Sequence, residues 1–262
     1  MMARVSIPFD GRPYTIQIPD RNLAEILGPE PGEPLPDLDG AIEQALDDPI
    51  DQAPLESWVK PTDRVLLVSD DITRSTPSER IIPALLARLN GAGIPDARVS
   101  CIMALGTHRY MTELELRKKA GDPVFNRIRV FNHEWRDPDQ LIDLGVSSKG
   151  TPLEVNRAAV EADVIIGIGA IVPHHIPGFS GSSKIIQPGI CGARTTADTH
   201  MLSCEGGGDS LLGRDENPVR EDMDDMADRV GMRTIFNVVP DMDGRPVGVY
   251  YGNMRSAFKA GV

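Results

Sequence analysis

Cysteine is scarce in this chain. Three stand in 262 residues (Cys101, Cys191 and Cys204), an odd number with no C-x-x-C spacing. No disulfide framework can be read from them, and they stand as reduced thiols, as in a cytoplasmic protein. Positive charge is short as well: 27 Lys and Arg face 39 Asp and Glu, for a formal net charge of −12 and a pI near 4.9. That balance argues against a nucleic-acid partner, because neutralising phosphates takes clustered Lys and Arg. It does not restrict small substrates, for which the local charge of a cleft matters more than the total. Long apolar runs are missing too. The most apolar stretch, Val164 to Val172, is interrupted by glycines and too short to span a bilayer. The opening residues, MMARVSIPFDG, lack the apolar core of a signal peptide. The expectation is a cytoplasmic protein with no membrane and no nucleic-acid partner.

Several familiar motifs are also absent. A Walker A loop needs G-x-x-x-x-G-K-[ST], but Lys184 is preceded by Ser183 and followed by Ile185. The Rossmann fingerprint needs a third glycine where Gly167-x-Gly169 is followed by Val172. No H-E-x-x-H pair is present, which leaves a zinc hydrolase built on His108, His174 and His200, with Asp71 as base, a weak reading.

What is present centres on residues 163–200. A buried strand, Val164 to Ile168, breaks into a loop with Pro173 and Pro177, the pair His174 and His175, and the small-residue run Gly178 to Ser183. Lys184 ends that run and His200 follows. Small residues let backbone N–H groups approach a ligand closely, and a run of such groups favours an anion. The stretch reads as a site for a phosphate-bearing cofactor with histidines at its rim. The competing reading is an ordinary strand-to-helix loop, rich in Gly and Ser because turns are.

The rest of the chain supplies the frame. Two extended runs within residues 3–18 flank Asp10-Gly11, a hairpin signal. Residues 28–40 hold four prolines and read as a surface connection, followed by a short helical patch from Ala41 to Leu46. From Arg64 strands and helices alternate. Val65 to Val68 is a buried strand, and Thr76-Pro77-Ser78-Glu79 reads as a helix start with Thr76 as cap. Ile81, Ile82, Leu85, Leu86 and Leu89 recur at helical spacing behind it, with a bend expected at Pro83. Val99 to Leu105 and Ile128 to Phe131 are strands, and Thr112 with Glu115 forms a capping box for a helix to about Lys119. The same chemistry at Thr151-Pro152-Leu153-Glu154 predicts a helix ending near Ala162. Residues 203–217 read as irregular. Asn217-Pro218 opens a helix to about Val230, and Arg233 to Val239 and Pro246 to Tyr251 are strands around Asp243-Gly244. The last residues, SAFKAGV, read as a helix cut short or a frayed end.

This alternation predicts the α/β class: an open, mostly parallel sheet with flanking helices, preceded by a β-hairpin. Ligands of such sheets bind beyond the carboxyl ends of the strands. Asp71 and Arg74, His108 and Arg109, His133, and His174 and His175 all lie just after a predicted strand. Singly, a histidine is more often a hydrogen-bonded structural residue and an arginine a solvated one. Together they have a use. His108 and His174 can face one cleft as a proton-transfer pair, His200 can ligate a metal, Arg74 and Arg109 can clamp a carboxylate or phosphate, and Asp71 can orient a base or face a cationic ring.

In order along the chain, DDITRSTP (70–77), LGTHRYMTELE (105–115), FNHEW (131–135), PHHIPGFSGSSKIIQPGICG (173–192) and TADTH (196–200) resemble the nickel-dependent lactate racemase family across roughly residues 60–205. The resemblance implies a racemase or epimerase of 2-hydroxy acids. Lys184 would carry a nickel-pincer nucleotide, pyridinium-3-thioamide-5-thiocarboxylic acid mononucleotide, through a thioamide bond. Nickel would be held by one carbon and two sulfurs of that cofactor and by His200. His108 and His174 would be the acid/base pair, Arg74 would face the substrate carboxylate, and Asp71, Thr73, Ser182 and Ser183 would lie at the cofactor. Hydride would leave the α-carbon for the cofactor ring and return to the other face. Partners would be the small 2-hydroxy acid and the enzymes that make the cofactor, with oligomerisation left open. The expected organisation is one N-terminal cofactor-binding domain: residues 1–60 as hairpin and connection, 61–205 as motif core, and 206–262 leading to an interdomain hinge. The family's second α/β lid domain is expected to be absent from this sequence. A non-catalytic cofactor-binding module without the lid is the alternative.

Overall fold

The computed structural model describes residues 1–9, 12–26, 32–204 and 210–262. Alternating residues near the amino end pair as an antiparallel hairpin of β1 (Met2–Phe9) and β2 (Arg12–Pro19), in register from Met2 opposite Pro19 to Phe9 opposite Arg12. The expected turn at Asp10-Gly11 lies outside the described residues. A period of two puts Ala3, Val5, Ile7 and Phe9 on one face, opposite Ile18, Ile16, Tyr14 and Arg12. The hairpin belongs to a first compact unit, residues 1–32, and residues 33–262 form a second.

The second unit is the α/β body. Asp37 caps α1 (Leu38–Asp47), accepting from Gly40 N at 3.0 Å. Next come β3 (Val65–Asp70), α2 (Ser78–Gly91), β4 (Val99–Ala104), α3 (Glu113–Ala120), the single turn α4 (Asp122–Phe125) and β5 (Arg129–Asn132). β6 (Leu141–Val146) and β7 (Pro152–Asn156) precede the short α5 (Arg157–Glu161) and β8 (Val164–Ala170). The two-residue strands β9 (Pro173–His174) and β10 (Gly178–Phe179) pair with each other. α6 (Ala193–Leu202), α7 (Pro218–Arg229), β11 (Thr234–Pro240), β12 (Pro246–Asn253) and α8 (Met254–Gly261) complete the unit.

A six-stranded sheet runs in the order β12-β11-β8-β3-β4-β5, parallel throughout except for the antiparallel edge strand β12. The central strands β3 and β8 are buried along their whole length, as runs without a polar face must be. Their alternation feeds two cores. Val65, Leu67 and Ile166 pack on one side with α1 and α2, and Leu66, Val68 and Ile165 pack on the other with α5, α7 and α8. The chain builds β3, β4 and β5 in one direction, then returns to place β8 and β11 on the far side of β3. This makes the β3/β8 boundary the topological switch point, where open α/β sheets leave a crevice for ligands. Among the described residues no helix is long and apolar enough to cross a membrane.

The capping box at Thr112 and Glu115 and the cap at Asn217 form as the sequence predicts. Two local expectations do not hold. Thr151 to Glu154 opens no helix. Leu153 and Val155 both point into the core, and a turn with Gly150 at φ +90° joins β6 to β7 as an antiparallel pair. The helix begins only at Arg157, with Asn156 Oδ1 accepting from Ala158 N at 3.0 Å. Thr76 does not cap α2; its hydroxyl donates at 2.5 Å to Asp70, whose buried carboxylate needs donors more. Of the two readings of the carboxyl-terminal residues the helical one holds: they form α8, capped by Asn253, with Met254, Ala257 and Phe258 buried.

His133, just past β5, is a core residue and not a site residue. It is fully buried, its Nε2 donates to Cys191 O at 2.9 Å, and its Nδ1 accepts from Asn156 Nδ2 at 3.1 Å. Burial pushes its pKa down from 6.5 to about 4, so it is neutral at pH 7.

Two predictions follow from this packing. Leu67→Ala, in the centre of the sheet, should lower stability by about 2–5 kcal/mol with an unchanged urea m-value, whereas Leu114→Ala, exposed on α3, should stay within about 0.5 kcal/mol of the parent. Because the folded pKa of His133 lies below its unfolded value, its contribution is complete above about pH 6.5 and is lost as pH falls toward 4. Urea titrations at pH 7 and pH 4 should show the parent losing up to about 3 kcal/mol more than His133→Gln, which stays neutral; equal losses would refute this.

Candidate active site

A cavity of about 580 Å³ opens over the carboxyl ends of β3, β4 and β8, at the switch point. It lies within the range usual for small-molecule sites. The turns after the strands line it with Asp71 and Arg74, with His108, and with His174, His175 and Lys184; α6 adds His200. The sequence places these residues far apart, and the sheet brings them to one wall.

The β3–α2 loop is held from beneath. Asp70, the last residue of β3, forms an ion pair at 2.8 Å with Lys119 Nζ from α3. The same ammonium donates to Arg74 O at 3.1 Å and Thr76 O at 3.0 Å. The next residue, Asp71, turns toward the cavity. Its Oδ1 accepts from Thr73 N at 3.0 Å and from the Thr73 hydroxyl at 2.5 Å, and its Oδ2 meets His108 Nδ1 at 2.7 Å. Burial pushes the Asp71 carboxyl up, but the donors Thr73 and His108 together outweigh it and hold it below the usual range. An ionised carboxylate only accepts, so the hydrogen between them sits on His108 Nδ1. In the neutral form of the ring, Nε2 then carries a lone pair and can accept a proton. The backbone of His108 is fixed as well, its carbonyl accepting from Trp135 Nε1 at 3.2 Å.

His174 is arranged the opposite way. Its Nδ1 accepts from Ile176 N at 3.1 Å, so the hydrogen of the neutral ring is on Nε2. Burial, then the positive charges of Lys184, His175 and Arg74, push it down to about 3, so it is neutral at pH 7. The ring of His175 stacks on it at 4.8 Å. One histidine of the wall thus presents a lone pair and the other an N–H.

Lys184 sits in a short 3-10 turn, Ser182–Ile185, and is half-buried. Among the described residues its ammonium has no hydrogen-bond or ion-pair partner, and the same holds for the side chain of Arg74. Burial, then Arg74 and Arg220, push Lys184 down to about 8, which makes the free amine accessible near neutrality. Burial, then Lys184, push His200 down as well, so it is an unprotonated imidazole suited to a metal.

The other predicted residues lie elsewhere. Thr73 is exposed and spends its hydroxyl on Asp71. Ser182 and Ser183 are buried and do not line the cavity. Ser182 Oγ donates to Met254 O at 3.1 Å, and Ser183 Oγ accepts from Arg220 at 3.1 Å. The adjacent Ser180 and Gly181 do line it. Gly181 has φ +79°, and a Cβ there would lie 2.8 Å from Asn237 Oδ1, so both conformation and space require glycine. Arg109 turns away and pairs with Glu115 at 2.6 Å. Among the described residues no group of three His, Cys, Asp or Glu side chains converges to hold a metal, so the zinc-hydrolase triad of His108, His174 and His200 does not assemble. Sequence reading missed Asp70, Lys119 and Arg220; the doubled aspartate at the end of a buried strand was the one available signal.

With this geometry in place, comparison with known proteins is informative. A family model described as the lactate racemase N-terminal domain matches residues 9–209. The lactate racemase of Lactiplantibacillus plantarum is 32% identical over 99% of this chain, and that of Thermoanaerobacterium thermosaccharolyticum is 28% identical over the same share. This chain spans 62% of the length of each. The lactate racemase apoprotein structure from Thermoanaerobacterium thermosaccharolyticum superposes with a TM-score of 0.84 and 26% identity, covering 99% of this chain and 61% of that one. A Thermotoga maritima protein, with a TM-score of 0.70 at 24% identity over 88% of this chain and 58% of its own, shares the fold. The α/β sheet, its switch-point cavity and the match over residues 9–209 agree, and the chain belongs to the lactate racemase family through its N-terminal domain.

Proposed function

We propose that this chain carries the cofactor-attachment and proton-transfer half of a racemase or epimerase of 2-hydroxy acids. The observation that carries the reading is the opposed state of the two histidines on one cavity wall: His108 with a lone pair on Nε2, His174 with a hydrogen there. Support comes from the relatives, both of them lactate racemases.

The residues present fit the nickel-pincer nucleotide that the family resemblance implies. The cavity offers a lysine without a hydrogen-bond or ion-pair partner among the described residues for a covalent link, an unprotonated imidazole as a single protein ligand, and the cations Arg74 and Lys184 for a phosphate. Lys184 would tether the group, His200 would hold nickel, and Asp71 and Thr73 would flank it. Ser182 and Ser183 would contribute by fixing the turn. When bound, the group supplies a hydride acceptor and donor for the substrate α-carbon.

The chain's own residues do the remaining work. Arg74, with no partner of its own, binds the substrate carboxylate and orients the α-carbon. His108 Nε2 takes the hydroxyl proton as the carbonyl forms, and Asp71 stabilises the resulting imidazolium. His174 Nε2–H hydrogen-bonds the carbonyl oxygen and passes its proton to it as that carbon is reduced from the other face; solvent then returns a proton to His174 and takes one from His108, which resets the pair. For the opposite enantiomer the roles exchange only when the proton stands on His108 Nε2 and the lone pair on His174 Nε2. The half-buried wall limits water. We place the protein in the cytoplasm, beside the enzymes that make the cofactor, in keeping with its three free thiols.

Co-production with cofactor-making enzymes, followed by intact mass and metal analysis, tests this. A covalent adduct at Lys184 with one nickel per chain is expected, and an unmodified lysine under conditions that load a known relative would favour a non-catalytic module. His108→Ala and His174→Ala should each keep the adduct and abolish racemisation. Asp71→Asn should keep it and lower kcat by on the order of 10²–10⁴-fold, because the amide no longer fixes the hydrogen on Nδ1; racemisation at the parent rate would refute the pairing.

A further inference from the structure

Arg220 is in an unfavourable position by every local measure. It is 4% exposed, it stands in the first turn of α7 where the helix dipole disfavours a cation, and among the described residues no carboxylate reaches ion-pair distance, Asp224 favouring its charge only at longer range. The helix itself does not need it, since Asn217 caps α7 through Oδ1, accepting from Arg220 N at 2.9 Å. The guanidinium is spent elsewhere. One nitrogen donates to Gly181 O and to Ser183 Oγ, both at 3.1 Å, and the other donates to Phe179 O. The planar group lies 4.5 Å from the centroid of the Phe258 ring on α8. Its acceptors at positions 179, 181 and 183 belong to one five-residue run that ends immediately before Lys184.

That run carries backbone strain. Gly181 and Ser182 both have left-handed backbone, at φ +79° and +52°, and for the serine this is a disfavoured conformation. A rigid fork of donors can meet three acceptors at once, which a single-point ammonium or a neutral amide cannot. We propose that Arg220 is a positioning residue for Lys184: by clamping Phe179, Gly181 and Ser183 it holds the turn that presents the lysine amine to the cavity. The inference rests on the reading of Lys184 as the attachment lysine. The charge of Arg220 acts in the same sense, standing after burial and Arg74 among the influences that keep that amine below its ordinary range.

The test uses the chain as it is, with pyridoxal 5′-phosphate as probe. Its aldehyde condenses with a free amine, losing water, and borohydride reduces the imine to a stable secondary amine that peptide mass spectrometry maps. Labelling of Lys184 is expressed relative to the exposed Lys60 and Lys259. The parent should label Lys184 preferentially. R220K and R220Q, with cooperative melting retained, should each lower the ratio by at least about tenfold, equivalent to one unit in amine pKa. Either variant, folded and labelling like the parent, overturns the proposal. Should neither fold, S183A decides: it removes one of the clamp's three acceptors while leaving Arg220 in place, so the ratio should fall, and a ratio equal to the parent's overturns the proposal. A parent with no preference for Lys184 would sink the attachment-lysine reading itself, an outcome distinct from a preference that survives loss of Arg220.

Discussion

The site depends first on a buried lysine. Lys119 Nζ donates to Arg74 O and Thr76 O and forms an ion pair with the Asp70 carboxylate at 2.8 Å. Both charged groups are nearly excluded from water, so each is tolerable because the opposite charge lies beside it and two carbonyls accept from the ammonium. Removing either partner would leave a bare charge in the interior, at a cost of about 3–5 kcal/mol. The geometry explains why such a pair sits there. A parallel strand ends with its carbonyls pointing into the crevice, and the following loop has no ladder to fix it. Lys119 supplies that fixing, so Asp70 faces inward while Asp71, one residue on, faces His108.

The same device occurs twice. Lys119 holds carbonyls of the loop after β3, and Arg220 holds carbonyls of the loop after β8. In both, a buried cation donates to backbone carbonyls of the loop; Lys119 also pairs with the Asp70 carboxylate, and Arg220 with the Ser183 hydroxyl. Above them, the side chains of Arg74 and Lys184 have no hydrogen-bond or ion-pair partner among the described residues. A chain with a net charge of −12 thus keeps two cations at the cavity beside Asp70 and Asp71. That field has a direct consequence for proton chemistry: it contributes, after burial, to keeping His174 and His200 unprotonated.

How much of this was legible in the sequence varies with the range of the interaction. The strands at Val65 and Val164 were readable because a fully buried strand is apolar at every position. The strand-end placement of Asp71, His108 and His174 followed from the α/β alternation, and the cavity gathers all three. Signals that rest on a few residues were ambiguous. Thr151-Pro152-Leu153-Glu154 has the chemistry of a helix start, yet the inward-facing Leu153 and Val155 made a strand the better use of the segment. Lys119 and Arg220 were not legible, because their partners are backbone carbonyls up to 45 and 41 residues away, and a carbonyl carries no mark in the sequence. His133 shows the converse: its strand-end position resembled a site, but full burial against Cys191 and Asn156 made it structural.

The two site histidines are chemically distinct because different groups hold them. A carboxylate on Nδ1 forces the hydrogen to that nitrogen and stabilises the ring once it is protonated. A backbone N–H on Nδ1 does the reverse: it requires a lone pair there and gives no help to a cation. His108 therefore presents a lone pair on Nε2 when its ring is neutral, and His174 presents an N–H there. This is the asymmetry that the proposed proton transfers require. It traces to Asp71, and through the adjacent Asp70 to the buried lysine that fixes the loop. The chemistry of the rim is therefore set in the core, by a charge that does not line the cavity.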